Sequence, residues 1–127
     1  MIVLLDSGET HNFIDEGYLI KRGLKVEDFE GFKVTIADGF TMPCTWVVKQ
    51  LKMTLGDYEL CHEFYVVGIG ETDLVLGVKW LHSIGGYYMN HQTMEFKFHS
   101  NGKEVLLRGL MNGAPNVVSV KRMERTF

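Results

Sequence analysis

At 127 residues the chain has room for one domain, and a composition of 46% hydrophobic and 23% charged residues excludes the low-hydrophobicity, high-charge class that stays disordered. A net charge of −3 removes the electrostatic footprint of a nucleic-acid binder; Lys121, Arg122 and Arg125 form only a short basic cluster, read as a solvated terminus. No apolar run reaches the roughly 18 residues of a membrane span, and Met1-Ile2-Val3-Leu4-Leu5 meets Asp6 too soon for a signal peptide, so the expectation is a soluble, intracellular chain.

In chain order, Ile2 to Leu5 is a short apolar strand that runs directly into Asp6-Ser7-Gly8. A first helix follows, with Asn12 as its expected cap, Asp15 and Glu16 complementing its N-terminal dipole, and Gly23 ending it in a left-handed conformation. Phe32 to Ala37 and Thr41 to Leu55 flank Asp38-Gly39, a dipeptide suited to a hairpin turn. In the second arm Val47, Leu51, Met53 and Leu55 alternate with Gln50, Lys52 and Thr54, the period of a half-buried strand, with Lys49 as the one lapse. Gly56-Asp57 makes the next turn, Tyr58 to Val67 the next strand, and Leu74 to Leu76 a short buried one. A second helix runs from about Val78 to Ile84, packs through Trp80, Leu81 and Ile84, and is stopped by Gly85-Gly86. Met94 to His99 pairs with Glu104 to Arg108 across Asn101-Gly102, with Phe96 and Phe98 in the core. From Met111 onward Asn112, Gly113, Pro115 and Asn116 break the pattern, so residues 1–110 are read as the domain and 111–127 as a tail or linker.

Several chemistries find no support in this pattern. Cys44 and Cys61 are too few for a disulfide framework and lack metal-ligand spacing, so both are read as reduced and structural, although their strands could be neighbours. His11, His62, His82, His91 and His99 are scattered, with none at HExxH spacing, and Gly68-Ile69-Gly70 lacks the later glycine of a dinucleotide loop.

The segment that carries chemistry is the apolar strand feeding Asp6-Ser7-Gly8. A carboxylate at the end of a buried strand is held rigidly, the adjacent hydroxyl can bond across the site, and glycine lets the backbone turn without a Cβ clash. The tripeptide alone is a common turn. In context, Val3-Leu4-Leu5-Asp6-Ser7-Gly8-Glu9-Thr10-His11-Asn12-Phe13-Ile14 resembles the active-site segment of retropepsin-like aspartic proteases from Ty3/Gypsy-type retrotransposons, especially plant ones. Thr72-Asp73-Leu74-Val75-Leu76-Gly77-Val78-Lys79-Trp80-Leu81 resembles the family's hydrophobic-hydrophobic-Gly segment and the short helix after it, and Thr93-Met94-Glu95-Phe96 a third, weaker block. The likeness covers roughly residues 2 to 110 in order.

The resemblance implies a mostly β, retropepsin-like closed barrel of the acid-protease fold, with two short helices and one lobe per chain. It implies a homodimeric aspartic endopeptidase that cleaves its own polyprotein through a water activated by two Asp6 carboxylates, in the cytoplasm or in retrotransposon particles. No metal or other cofactor is needed, and neither a membrane nor a nucleic acid is expected as a partner. Ser7 and Gly8 form the active-site loop; Glu9, Thr10, Val75 and the flap residues Ala37, Asp38, Gly39 and Phe40 are the expected substrate contacts. Elementary electrostatics supports the dimer. The paired-carboxylate mechanism needs two aspartates sharing one proton, because like charges about 3 Å apart cannot both ionise, and this chain carries one such motif.

Two departures from the family pattern stand out. Glu9 occupies a position where the family usually carries a small residue, and its charge could raise the dyad's pKa, narrow substrate choice, or point outward. Family members usually also have a further strand ahead of the catalytic one, which would leave the sheet or the dimer weaker here, or mark the chain as a fragment. The rival readings are a domesticated or degenerate retropepsin-like domain that dimerises or binds peptide without cleavage, and an unrelated β-barrel interaction module.

Overall fold

The computed structural model describes residues 1–35, 41–70 and 72–108, together with the backbone of Ser119–Met123. In chain order the elements are β1 (Ile2–Asp6), β2 (Phe13–Asp15), α1 (Glu16–Arg22), β3 (Glu27–Thr35), β4 (Thr41–Leu55), β5 (Tyr58–Val67), β6 (Leu74–Leu76), α2 (Val78–Ile84), β7 (Tyr87–Asn90), β8 (Glu95–Ser100), β9 (Lys103–Arg108) and β10 (Ser119–Met123). Seven strands form one sheet in the order β10-β1-β6-β2-β5-β4-β3, and β7-β8-β9 form a second. The architecture is therefore mostly β with two short helices, as expected.

Three strands with strong local signals and α2 have the bounds the sequence spacing predicts. β4 and β5 pair antiparallel across the Gly56 turn, where φ is +61°. The Lys49 lapse has a structural cause: the register shifts between Val48 and Leu51, a β-bulge that leaves Lys49 and Gln50 exposed and returns Leu51 to the core. Asn101 and Gly102 both have positive φ, 52° and 75°, as a two-residue hairpin turn demands.

Three strands were missed, and one helix cap was misplaced. β2 has only three residues and is defined by tertiary pairing, parallel to β5 and antiparallel to β6. Because β2 intervenes, α1 starts later than expected: its cap is Asp15, whose side chain accepts from Tyr18 N–H at 3.2 Å, and not Asn12. Gly23 ends α1 with φ +64°, as expected. β7 follows directly on Gly85-Gly86 and pairs with β8. β10 falls inside the stretch read as tail or linker; there the β-branched residues Val117, Val118 and Val120 were obscured by the turn residues before them, and Ser119–Met123 pair in parallel with all of β1.

The main core is continuous from Val3, Leu5, Leu74 and Leu76 through Leu51, Leu55, Leu60 and Phe64 to α2 and the small sheet. Trp80 is its hub. The residue is fully buried, packs edge-on against Phe98 at 5.4 Å, and donates from Nε1 to the Tyr58 hydroxyl at 3.1 Å. Full burial of each such side chain is worth about 1.5–3 kcal/mol, so this nest fastens α2, and with it the turn before α2, to both sheets. A second, smaller cluster of Phe13, Val34, Cys44, Val67 and Val75 lies at the base of the β3–β4 hairpin. Cys44 is buried and Cys61 exposed; both are free thiols. No helix among the described residues is long and apolar enough to cross a membrane.

Candidate active site

Asp6 is the last residue of β1, a strand laddered on both sides: Val3, Leu4 and Leu5 pair with Leu74, Val75 and Leu76 of β6, and all five residues pair with β10. Its side chain is held at the strand end, the residue being only 4% exposed. A buried carboxylate is costly unless hydrogen-bonded, and Gly8 N–H supplies a bond to Oδ1 at 2.9 Å. Glu9 N–H donates to the Asp6 carbonyl at 3.1 Å, closing Asp6-Ser7-Gly8-Glu9 into a tight turn.

The β6–α2 junction holds this turn from the other side. Val78 N–H donates to the Glu9 carbonyl at 2.7 Å and Lys79 N–H to the Thr10 carbonyl at 3.1 Å, so two N–H groups that the start of α2 leaves unpaired are satisfied by the loop that follows Asp6. Contact is so close at Gly77 that a Cβ there would meet the backbone oxygens of His11 and Glu9, the latter at 2.7 Å. Glycine is required here by space, since the backbone is extended (φ −95°).

The residues singled out from sequence fall into three groups. Asp6, Ser7, Gly8, Glu9 and Thr10 share one loop, in which Ser7 and Glu9 are half-buried while Gly8 and Thr10 are exposed. Val75 is buried on the neighbouring strand, paired with Leu4 on one side and Phe13 on the other. Ala37, Asp38, Gly39 and Phe40 lie outside the described residues, between the ends of β3 and β4.

Residues that sequence reasoning did not assign complete the surroundings. His11 packs against Phe32 (centroids 5.3 Å apart) and edge-on against Tyr65 (5.0 Å), joining an aromatic group with Phe13 and Phe29. Its Nδ1 is buried with no hydrogen-bond partner among the described residues. Burial lowers the His11 pKa, Lys79 adds to the shift, and Glu63 opposes it. The hydroxyl of Tyr65 is shifted up, chiefly by burial. No group of three or more His, Cys, Asp or Glu side chains among the described residues could hold a metal ion.

A strand ending in a buried aspartate is thus interlocked with a hydrophobic-hydrophobic-Gly turn in a mostly β fold. The crystal structure of the retroviral protease-like domain of Ddi1 from Leishmania major superposes with a TM-score of 0.56 at 14% identity, covering 83% of this chain and 82% of that one, which establishes the fold. Eight chains of solved structures match significantly. No curated protein matches significantly. The family model of the PEG10/RTL1 protease domain matches residues 2–103, and the chain belongs to that family.

Proposed function

We propose that this retropepsin-like domain is an aspartic endopeptidase, active as a homodimer, that hydrolyses peptide bonds within an intracellular polyprotein. The observation that carries the proposal is the Asp6 carboxylate, buried at a doubly laddered strand end and oriented by Gly8 N–H.

In the proposed reaction one Asp6 is ionised and takes a proton from a bound water as that water attacks the scissile carbonyl. The Asp6 of the second copy is protonated and donates to the carbonyl oxygen, giving a tetrahedral diol whose collapse releases amine and acid. The pair can stay singly protonated only between its two macroscopic pKa values, so activity should follow a bell-shaped pH profile. In this reading Ser7 bonds near the dyad, and Gly8, which has no Cβ, lines the substrate channel. Glu9, Thr10 and Val75 contact the substrate in the same reading; the expected flap residues 37–40 lie outside the described residues.

One observation favours a second reading, binding without cleavage: Glu9, half-buried and three residues after Asp6, is a carboxylate where the family usually carries a small residue. The deciding experiment is cleavage of a mixed peptide library across pH by the purified chain, beside Asp6→Asn and with the oligomeric state measured. Cleavage abolished by Asp6→Asn, at least ~10³-fold as expected for loss of an essential acid–base group, supports the enzyme. A dimer that cleaves nothing refutes it in favour of peptide binding.

A further inference from the structure

Asn12 is only 3% exposed, yet it is polar and lies six residues beyond Asp6. It does not cap α1, whose cap is Asp15. Its side-chain oxygen accepts from Gly77 N–H at 2.9 Å, its side-chain nitrogen donates to the Glu63 carbonyl at 3.3 Å, and its own carbonyl accepts from Tyr65 N–H at 2.9 Å. The two side-chain contacts have opposite polarity, so only a group with one acceptor and one donor can satisfy both. Through them a single side chain ties together the end of the catalytic loop, the turn before α2, and β5.

The loop from Asp6 to Asn12 is thus fixed at both ends. Asp6 is held by the ladders of β1 and Asn12 by Gly77 and Glu63, while the carbonyls of Glu9 and Thr10 between them are held by Val78 and Lys79 N–H. Freeing Asn12 would leave the buried Gly77 N–H without its partner, strip the part-buried Glu63 carbonyl of this donor, and let the loop slide along the β6–α2 turn. We infer that Asn12 is a positioning residue, which sets the orientation of the Asp6 carboxylate by clamping the catalytic loop onto Gly77 and β5. The inference deepens the protease reading and rests on it for its kinetic consequence.

The test compares wild type, Asn12→Ala and Asn12→Asp, with kcat and KM for one peptide measured across pH and the folded fraction determined at each point. A protonated carboxyl presents one acceptor and one O–H donor, as the amide does; ionised, it has no donor for Glu63, and burial raises the pH at which it takes up its proton. The alanine variant is expected to lose at least ~10-fold in kcat at every pH with KM within about twofold, since losing a buried hydrogen bond is worth roughly one to two decades in rate. Asn12→Asp should share that loss near neutral pH and recover towards wild type, relative to wild type at the same pH, as the solution is acidified. An unchanged kcat in Asn12→Ala, or a ratio for Asn12→Asp that stays flat with pH, overturns the inference. Should Asn12→Ala fail to fold, Asn12→Asp at acid pH decides alone.

Amide hydrogen exchange separates the clamp from the catalytic reading. In Asn12→Ala, or in Asn12→Asp at neutral pH, exchange at Gly8, Glu9 and Gly77 should accelerate at least ~10-fold while Met53 and Leu60 in the β4–β5 ladder stay protected. A wild-type chain that cleaves nothing sinks the protease reading, and exchange then decides the clamp; unchanged protection at those three amides overturns it.

Discussion

The tightest contact at the site predicts the largest single effect, that of Gly77→Ala. A Cβ on Gly77 would stand 2.7 Å from the Glu9 carbonyl oxygen and closer still to that of His11, against an ordinary carbon–oxygen approach of about 3.3–3.6 Å. Both obstacles are backbone, so no side chain can swing aside. Overpacking of this kind costs about 1–3 kcal/mol, and relieving it by moving β6–α2 away stretches the bonds from Gly77, Val78 and Lys79 N–H to Asn12, Glu9 and Thr10, each worth about 1 kcal/mol. The expected destabilisation is about 3–5 kcal/mol, a fall of roughly 2 M in urea midpoint for m near 2 kcal/mol/M. Two controls isolate the cause. Gly86→Ala meets nothing within 4 Å and should change stability by under ~0.5 kcal/mol. Gly102→Ala also meets nothing, but its φ of +75° should add about 1–2 kcal/mol of left-handed strain. A Gly77→Ala protein within 1 kcal/mol of wild type would refute the close-packing account of the Asp6–Asn12 loop.

Asp15→Ala should cost about 2–4 kcal/mol by urea unfolding, because the carboxylate both caps α1 and accepts from Ile69 N–H at 2.8 Å and Gly70 N–H at 3.0 Å; Asp15→Asn, which loses the charge and keeps an acceptor, should cost less. Acidification should weaken the fold through His11 and His62, whose pKa values burial depresses below the ordinary 6.5. The unfolded chain takes up protons near 6.5 that the folded chain refuses, so this stability is complete above pH 6.5 and is lost as pH falls through the lower folded values. Melting temperature should therefore drop between pH 7 and 5, with a shallower slope in His11→Gln and in His62→Gln; unchanged slopes in both variants would rule these two residues out as the source.

Elements whose signal is local were legible from sequence, and those created by tertiary pairing were not. The Asn101-Gly102 hairpin and α2 carry their own turn and stop residues, so their positions follow from spacing. Phe13-Ile14-Asp15 offers no such signal: β2 exists because β5 and β6 both present open edges to it. That pairing also explains why Asn12 looked like a cap. An asparagine followed closely by two acidic residues is the right composition for a helix start, but inserting a three-residue strand moves the helix start to Asp15 and leaves Asn12 facing Gly77. At the site, Asp6, Gly8 and the Leu74-Val75-Leu76-Gly77 block were visible as motifs, whereas the contact between them spans some seventy residues and leaves no periodicity in the chain. The aromatic group of His11, Phe32 and Tyr65 was invisible for the same reason.

How the site divides its work follows from the strength of the forces involved. Two carboxylates about 3 Å apart repel strongly unless one is protonated, and in a poorly solvated site that repulsion grows. A loosely held Asp6 would relax away from the Asp6 of a second copy and lose the shared proton on which the proposed chemistry depends. The ladders of β1, the turn closed by Gly8 and Glu9, and the anchorage at Gly77, Val78 and Lys79 all act against such relaxation. Most of these restraints are hydrogen bonds between backbone groups, which constrain the path of the chain and not the identity of the side chains along it. Besides Asp6, whose Oδ1 accepts from Gly8 N–H, Asn12 is the exception, a side chain committed to the scaffold. Under the protease reading, substitutions at Thr10 should therefore alter which peptides are accepted, while substitutions at Asn12 or Gly77 should alter how well any peptide is cut.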